Sequence, residues 1–315
     1  MQNFDAAAVR QRSPMPALVR ALQRAFVAGA EVPQRHVHAL PDGATLLLMP
    51  AWRSGAGARL GVKTVTVCPG NGALGLPGVH GVFTLFDART GVPLAVLDGS
   101  ELTARRTAAA SALAASYLAR PDARRLLVVG AGRVAALMPE ALRAVRPGID
   151  EIAVWARRPE AAEALAAAWR AQGLAARAAP DLAAAVRRAD VVSCATLAAA
   201  PLVHGAWLAP GAHLDLIGSF TPAMRESDGE CFARCRVWVD TAEALAKAGD
   251  VLQATAEGRF APERLQGTLA DLCRNGRPVD GAPSAAGGAD CTLFKSVGNA
   301  IEDLAAAELV VDGPG

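Results

Sequence analysis

Leu126-Leu127-Val128-Val129-Gly130-Ala131-Gly132-Arg133-Val134-Ala135 is the stretch that decides the fold. Four branched apolar residues read as a buried strand, and the G-x-G-x-x-A run after them reads as a turn into a helix. The first glycine permits a tight turn, the second lets the backbone approach a pyrophosphate, and the small Ala135 allows the helix to pack on the strand. The amino end of that helix, opened by Arg133, then faces the phosphates of a dinucleotide. A strand-to-helix turn without a ligand gives the same local pattern, so the order of elements around it matters.

That order is alternating. Residues 126–129, 152–155, Val191–Cys194, 213–217 and 237–239 read as buried parallel strands, with Ala-rich helices at 159–172 and Leu182–Arg188. This is an α/β, Rossmann-type, doubly wound parallel sheet. Pro139 falls about two turns into the helix after the glycine turn and is expected to kink it. The second strand runs into Trp155-Ala156-Arg157-Arg158-Pro159. An Asp or Glu here would take the ribose hydroxyls of NAD, whereas Arg accommodates a 2′-phosphate. Arg157 and Arg158 therefore predict NADPH, with NADH as the alternative; a solvated loop is the plain reading of the same pair.

Upstream of residue 121 the pattern differs. An amphipathic helix at Met15–Ala28 precedes short strands at 36–40, 45–49, 60–67, 81–86 and 92–97, an antiparallel meander. The loop at 68–78 is too glycine-rich for regular structure and is expected to line the site. Ser100 is placed to cap a helix over 101–119. Near the other end, a low-complexity patch at 281–288 precedes a segment, 291–311, with helical spacing from about Lys295.

At 315 residues the chain favours two domains. Hydrophobic residues make up 52% and charged ones 20%, and no apolar run reaches the roughly 18 residues that would span a bilayer. The first residues lack the features of a secretory signal, so the expectation is a soluble cytoplasmic protein. The net charge of +2 and the scattered Lys and Arg exclude the basic stripe that nucleic acid requires. The six cysteines read as free thiols, and neither Cys231 with Cys235 nor His36 with His38 has the further ligands a metal needs.

Several longer stretches carry a family resemblance. They are Gly61-Val62-Lys63-Thr64-Val65, Leu85-Phe86-Asp87 with Thr90-Gly91-Val92-Pro93, the helix Leu102-Thr103-Ala104-Arg105-Arg106-Thr107-Ala108-Ala109-Ala110-Ser111, and Leu293-Phe294-Lys295-Ser296-Val297-Gly298 followed by Ala300-Ile301-Glu302-Asp303. Together with the glycine turn they resemble the ornithine cyclodeaminase and mu-crystallin family over nearly the whole chain. The resemblance implies a Rossmann domain, residues 121–289, inserted into an α+β substrate-binding and dimerisation domain, residues 1–120 with 290–315, and a homodimer. It further implies that Arg35, Lys63 and Arg106 hold a substrate carboxylate, and that Thr107 and Thr196 contact the cofactor; Ser219 lies at the strand end where the nicotinamide ribose is expected. The chemistry is coherent, since Arg offers a bidentate fork and Lys a compact charge with mobile donors. On this reading, loss of Lys63 or Arg106 weakens catalysis far more than folding.

The resemblance also shows a departure. Ornithine cyclodeaminases carry an Asp shortly after the Gly of a late Rossmann strand; aligned on Pro222, Phe220 stands there. A phenyl ring holds no proton. The expected chemistry is thus reduction of a cyclic imine, Δ1-pyrroline-2-carboxylate or Δ1-piperideine-2-carboxylate, to L-proline or L-pipecolate. The proton source is Lys63, His80 or solvent. The competing readings are an ornithine cyclodeaminase, an amino-acid dehydrogenase, and a mu-crystallin-like small-ligand binder. Three clamp cations argue against the last, because an apolar ligand has no use for buried charge.

Overall fold

The structure, a computed structural model, describes residues 1–55, 57–276 and 290–313, so the patch at 281–288 lies outside it. The first half of the chain forms β1 (Gln2–Phe4), α1 (Ala6–Arg12), α2 (Met15–Ala28), β2 (His36–Ala39), β3 (Thr45–Trp52), β4 (Arg59–Val67), β5 (Val79–Asp87), β6 (Pro93–Asp98), α3 (Gly99–Leu118), β7 (Arg125–Val129), α4 (Arg133–Arg143) and β8 (Glu151–Trp155). There follow α5 (Pro159–Ala171), β9 (Ala176–Ala178), α6 (Leu182–Arg188), β10 (Val191–Cys194), β11 (His213–Leu216), α7 (Gly229–Arg234), β12 (Arg236–Val239), α8 (Ala244–Lys247), α9 (Gly249–Ala256), β13 (Leu265–Thr268), α10 (Leu269–Asn275), β14 (Thr292–Lys295) and α11 (Ala300–Asp312). The chain divides into two compact units, residues 1–107 with 299–315 and residues 108–298. The division falls inside α3 and beyond β14, whereas the sequence reading places it at 120/121 and 289/290.

In the first unit the expected meander runs β6-β5-β4-β3-β2, with β1 added in parallel on β6. Neither β1 nor α1 was expected; α1 is started by Asp5, whose carboxylate accepts from the Ala8 N–H at 2.8 Å. The cap of α3 is Asp98, which accepts from the Glu101 N–H at 2.7 Å, and not Ser100, which already lies inside the helix. Between β4 and β5, Pro69–Leu74 forms a 3-10 helix despite its glycines, because Pro69 sets the first turn and the Asn71 amide ties it to the Pro77 carbonyl at 2.8 Å. Strand β5 starts two residues earlier than expected and takes in His80.

Side chains alternate across this sheet. Phe83 and Leu85 are buried on the face that α11 covers, and Lys63 sits directly across from Phe83 on that face. Gly61 is required there: a methyl group would come within 2.2 Å of the Phe83 ring and 3.2 Å of Leu304, so only glycine lets α11 lie against β4.

The second unit is one eight-stranded parallel sheet in the order β13-β12-β14-β11-β10-β7-β8-β9. The chain leaves β7 toward β8 on one side and returns to β10 on the other, so the order reverses beside β7, where α/β sheets bind ligands. Strand β14 corrects the expectation of a helix from about Lys295: it enters the sheet between β11 and β12, and helix begins only at Ala300. Periodicity misleads here because a four-residue strand and the first turn of a helix share the same apolar spacing. Helix α4 runs through the buried Pro139 to Arg143.

Asp215 on β11 is fully buried and accepts from Ser111 Oγ at 2.9 Å and Ser193 Oγ at 2.6 Å. Burial pushes its carboxyl up to about 6, against the two hydroxyls and Lys295. A carboxyl raised in the fold loses its contribution to stability as pH rises from the ordinary carboxylate range through that value. Asp215→Asn keeps both hydroxyl partners and removes the ionisation. The variant is expected to match or exceed the parent in denaturant stability at pH 7.5, by at most about 3 kcal/mol, and to lose that advantage near pH 4.

Candidate functional site

Two groups of residues carry chemistry, one in each unit. In the first, β4 presents Lys63 beneath α11, and α11 supplies the counter-charges. Lys63 Nζ lies 2.8 Å from Asp303 Oδ2; Arg106 places Nε 2.9 Å from Asp303 Oδ1 and Nη1 2.6 Å from Glu302 Oε2. All four side chains are buried, Lys63 at 2% exposure and Asp303 at 0%. Burial drives the Lys63 ammonium down to about 8, with Arg106 acting in the same direction and Asp303 opposing both. Burial also works against the Arg106 cation, yet Asp303 and Glu302 outweigh it and raise its pKa. Asp303 is held below the usual carboxylate range, because Arg106 and Lys63 overcome its desolvation.

Two cations and two carboxylates cancel, so this group is not a bare positive clamp. Arg106 spends Nε and Nη1 on α11, and Nη2 is its nitrogen with no partner among the described residues. Lys63 keeps two of its three donors beyond the Asp303 contact. An incoming carboxylate thus meets one fixed guanidinium nitrogen and one ammonium, already aligned by Asp303.

Arg35 stands one residue before β2 and is half-buried. The register pairs His36 with Leu48 and Met49 with Lys63, so continuing it by one residue puts Arg35 on the row of Met49, Lys63 and Phe83. His80 is not brought to that row. It pairs with Thr66, is exposed, and belongs to the opposite face of the sheet, because Thr66 and Lys63 are three residues apart on one strand. The structure therefore gives no support to His80 as the proton donor beside Lys63. His36 and His38 sit exposed on β2 with ring centres 6.4 Å apart.

The second group is built on the glycine turn. Gly130 has φ 119°, and a Cβ there would lie 2.5 Å from the Ala195 carbonyl oxygen, so no other residue fits. Gly132 differs. It caps α4 with ordinary φ −89°, no side chain caps the helix, and a Cβ on it would meet nothing within 4 Å. The protein's own packing leaves this space clear above the first N–H groups of α4, which is the cradle a pyrophosphate needs. Ala135 is fully buried and Arg133 exposed at the start of the helix. Arg157 and Arg158 are exposed after β8, and neither has an ion-pair partner among the described residues. Thr107 is half-buried on α3.

Thr196 and Ser219 have other occupations. The Thr196 N–H and hydroxyl both donate to Glu226 Oε1, at 2.7 and 2.9 Å, and the Gly218 N–H donates to Oε2 at 2.6 Å. Ser219 is fully buried; its hydroxyl donates to the Met224 carbonyl at 2.7 Å and accepts from the Asp250 N–H at 3.1 Å. Both hydroxyls thus build the loops at the ends of β10 and β11, and the expected direct cofactor contact by Ser219 is not supported. Sequence reasoning missed the residues that shape these loops. Glu226 is buried with its carboxyl pushed up to about 7 by desolvation, Asp250 accepts from the Glu226 and Ser227 amides at 2.9 Å, and Lys295 Nζ donates to the Leu216 carbonyl at 3.1 Å. For Lys295, which follows Leu293-Phe294, the signal was present, since a charged residue in an apolar run is seldom buried without a partner.

With the geometry in view, the comparisons are direct. Residues 5–313 match the Ornithine cyclodeaminase/mu-crystallin family, and the chain belongs to it. Among its relatives, a Δ(1)-pyrroline-2-carboxylate reductase of Paracoccus denitrificans is 42% identical over 286 residues, covering 90% of this chain and 88% of that one. A solved structure of Thermococcus litoralis Δ(1)-pyrroline-2-carboxylate reductase in complex with NADH and L-proline superposes with a TM-score of 0.90 at 30% identity, covering 99% of this chain and 97% of the other. An archaeal alanine dehydrogenase dimer with bound NAD matches with a TM-score of 0.88 at 29% identity, covering 99% and 95%. Among the described residues no helix is long and apolar enough to cross a membrane.

Proposed function

We propose that this protein reduces a cyclic imino acid, Δ1-pyrroline-2-carboxylate or Δ1-piperideine-2-carboxylate, to L-proline or L-pipecolate. The observation that carries the reading is the buried contact of Lys63 and Arg106 with Asp303, which fixes two cations with donors to spare. The relatives named as pyrroline-carboxylate reductases support the same chemistry.

In this reading Arg106 Nη2 and Lys63 Nζ, with Arg35, hold the substrate carboxylate, and Asp303 keeps the first two aligned. Lys63 is also the acid. An ammonium with a pKa near 8 is mostly protonated at neutral pH and still gives up its proton readily, which suits protonation of a ring nitrogen. A protonated imine carbon is the better hydride acceptor. Phe220, 42% exposed on the loop after β11, offers no carboxylate to a substrate amino group, which argues against cyclodeamination. A nicotinamide dinucleotide, held by Gly130, Gly132 and the amino end of α4, supplies the hydride. Arg157 and Arg158 favour NADPH within that class, and the dimeric relative favours a homodimer.

The test follows oxidation of NADPH and of NADH with each imine. Turnover of either imine supports the reading. Cofactor binding with no turnover of either imine, or ammonia release from ornithine in its place, sinks it. A second measurement addresses the arginines: Arg157→Ala with Arg158→Ala is expected to weaken NADPH binding by about 10- to 100-fold, the cost of losing charge-assisted hydrogen bonds to a phosphate, while NADH binding changes little. Equal losses for both cofactors would make the pair a general electrostatic feature.

A further inference from the structure

Cys235 closes α7 immediately before β12, and Cys291 stands immediately before β14. These strands are neighbours in parallel register, Arg236 opposite Thr292, and the Arg236 N–H donates to the Cys291 carbonyl at 2.9 Å. The two cysteines are therefore side by side on adjacent strands. Adjacent strands lie about 4.8 Å apart, inside the range of Cα separations that a disulfide bridges. Continued by one residue, the same register sets Cys235 opposite Cys291, and side chains paired across neighbouring strands share one face of the sheet. The pair sits at the amino ends of the strands, the edge of the sheet opposite to the Gly130 turn, and the proposed reduction makes no use of it.

We propose that Cys235 and Cys291 form a two-thiol oxidation site whose co-reactant is a small hydroperoxide. Cys291 is the attacking sulfur. Its thiol donates to the Ala209 carbonyl at 3.2 Å, and the neighbouring Cys235, helped by Arg234, lowers its pKa to about 6 against the effect of burial, so it ionises more readily than its partner. Cys235 keeps its proton, pushed up first by the neighbouring Cys291 and then by burial. The other buried thiols, Cys194, Cys231 and Cys273, are all raised by desolvation and stay protonated.

The chemistry balances in two steps. The Cys291 thiolate attacks the terminal peroxide oxygen; an S–O bond forms, the O–O bond breaks, and the leaving alkoxide or hydroxide takes a proton from solvent, giving a sulfenic acid. The Cys235 sulfur then attacks the Cys291 sulfur; the S–S bond forms, the S–O bond breaks, and water leaves with the Cys235 proton. Two electrons pass from the sulfurs to the peroxide. Cys291 is 4% exposed, which disfavours a bulky disulfide and leaves a small hydroperoxide as the co-reactant.

The experiment exposes the reduced, folded protein to hydrogen peroxide, alkylates the remaining thiols after denaturation, and maps the peptides by mass spectrometry. The expected result is a peptide bridged between Cys235 and Cys291, cleaved by dithiothreitol, with Cys194, Cys231 and Cys273 still alkylated. In Cys235→Ser the intermediate persists, and a dimedone-type probe added on denaturation labels Cys291. Alkylated Cys291 with no bridge in the parent protein would overturn the proposal. So would bridges distributed among several cysteines, a result that needs no variant to fold.

Discussion

Replacing Lys63 with methionine is expected to lower kcat/KM for the imine by about 10²- to 10⁴-fold, the range that a positioned general acid contributes. The side chain fills the same place without the charge. Asp303 stays paired through Arg106 Nε at 2.9 Å, so the fold loses only one partner of a carboxylate that keeps another. A stability loss of about 1–3 kcal/mol by denaturant titration is the corresponding expectation. The pH profile separates an acid from a plug. With Lys63 as the donor, the ammonium is the active form, and kcat/KM of the parent falls as pH rises through about 8. The residual rate of Lys63→Met lacks that limb. A variant with parental kcat/KM, or one that retains the same limb, removes Lys63 from the proton path.

Arg106→Ala is expected to behave differently, and here the structure argues against catalysis suffering far more than folding. Truncation strips Nη1 from Glu302 and Nε from Asp303, two carboxylates with 1% and 0% exposure. Breaking a buried ion pair on one side costs about 3–5 kcal/mol, because the remaining charge stays desolvated. Set against a total stability of about 5–15 kcal/mol, that loss removes a large fraction of the margin. Guanidinium titration, or solubility on expression, reads it. Arg106→Lys restores the charge without the fork, and is expected to recover folding but not activity, since one ammonium cannot serve Asp303, Glu302 and a substrate together. If Arg106→Ala unfolds at the parental midpoint, the pair with α11 is ornamental.

Much of this was legible beforehand where one physical rule dominates. The strand-turn-helix at Leu126 to Ala135 is written in branched residues and two glycines, and the meander shows in short alternating runs. The role of Lys63 came from the family resemblance, and its place in a strand agrees with it, since a buried lysine is rare without a partner. What stayed hidden were partners distant in sequence. Asp303 and Glu302 were visible as part of a motif, but nothing in their spacing says that they face Lys63 and Arg106, since ion pairs across the chain leave no periodic signal. His80 was misplaced for a similar reason. It lies between the expected loop and the expected strand, and only the pairing with Thr66 shows which face of the sheet it takes. Strand β14 was lost because four residues are too few for a period to declare itself.

The helix that neutralises Lys63 and Arg106 is encoded after every strand of the second unit. During synthesis the first unit therefore emerges with two cations destined for its interior and without the two anions that make their burial tolerable. Domains ordinarily begin to fold as they leave the ribosome, amino-terminal part first. This one is obliged to wait, its interior carrying a charge debt until α11 arrives, so any chain stalled before Glu302 is marked as unfinished by its own electrostatics.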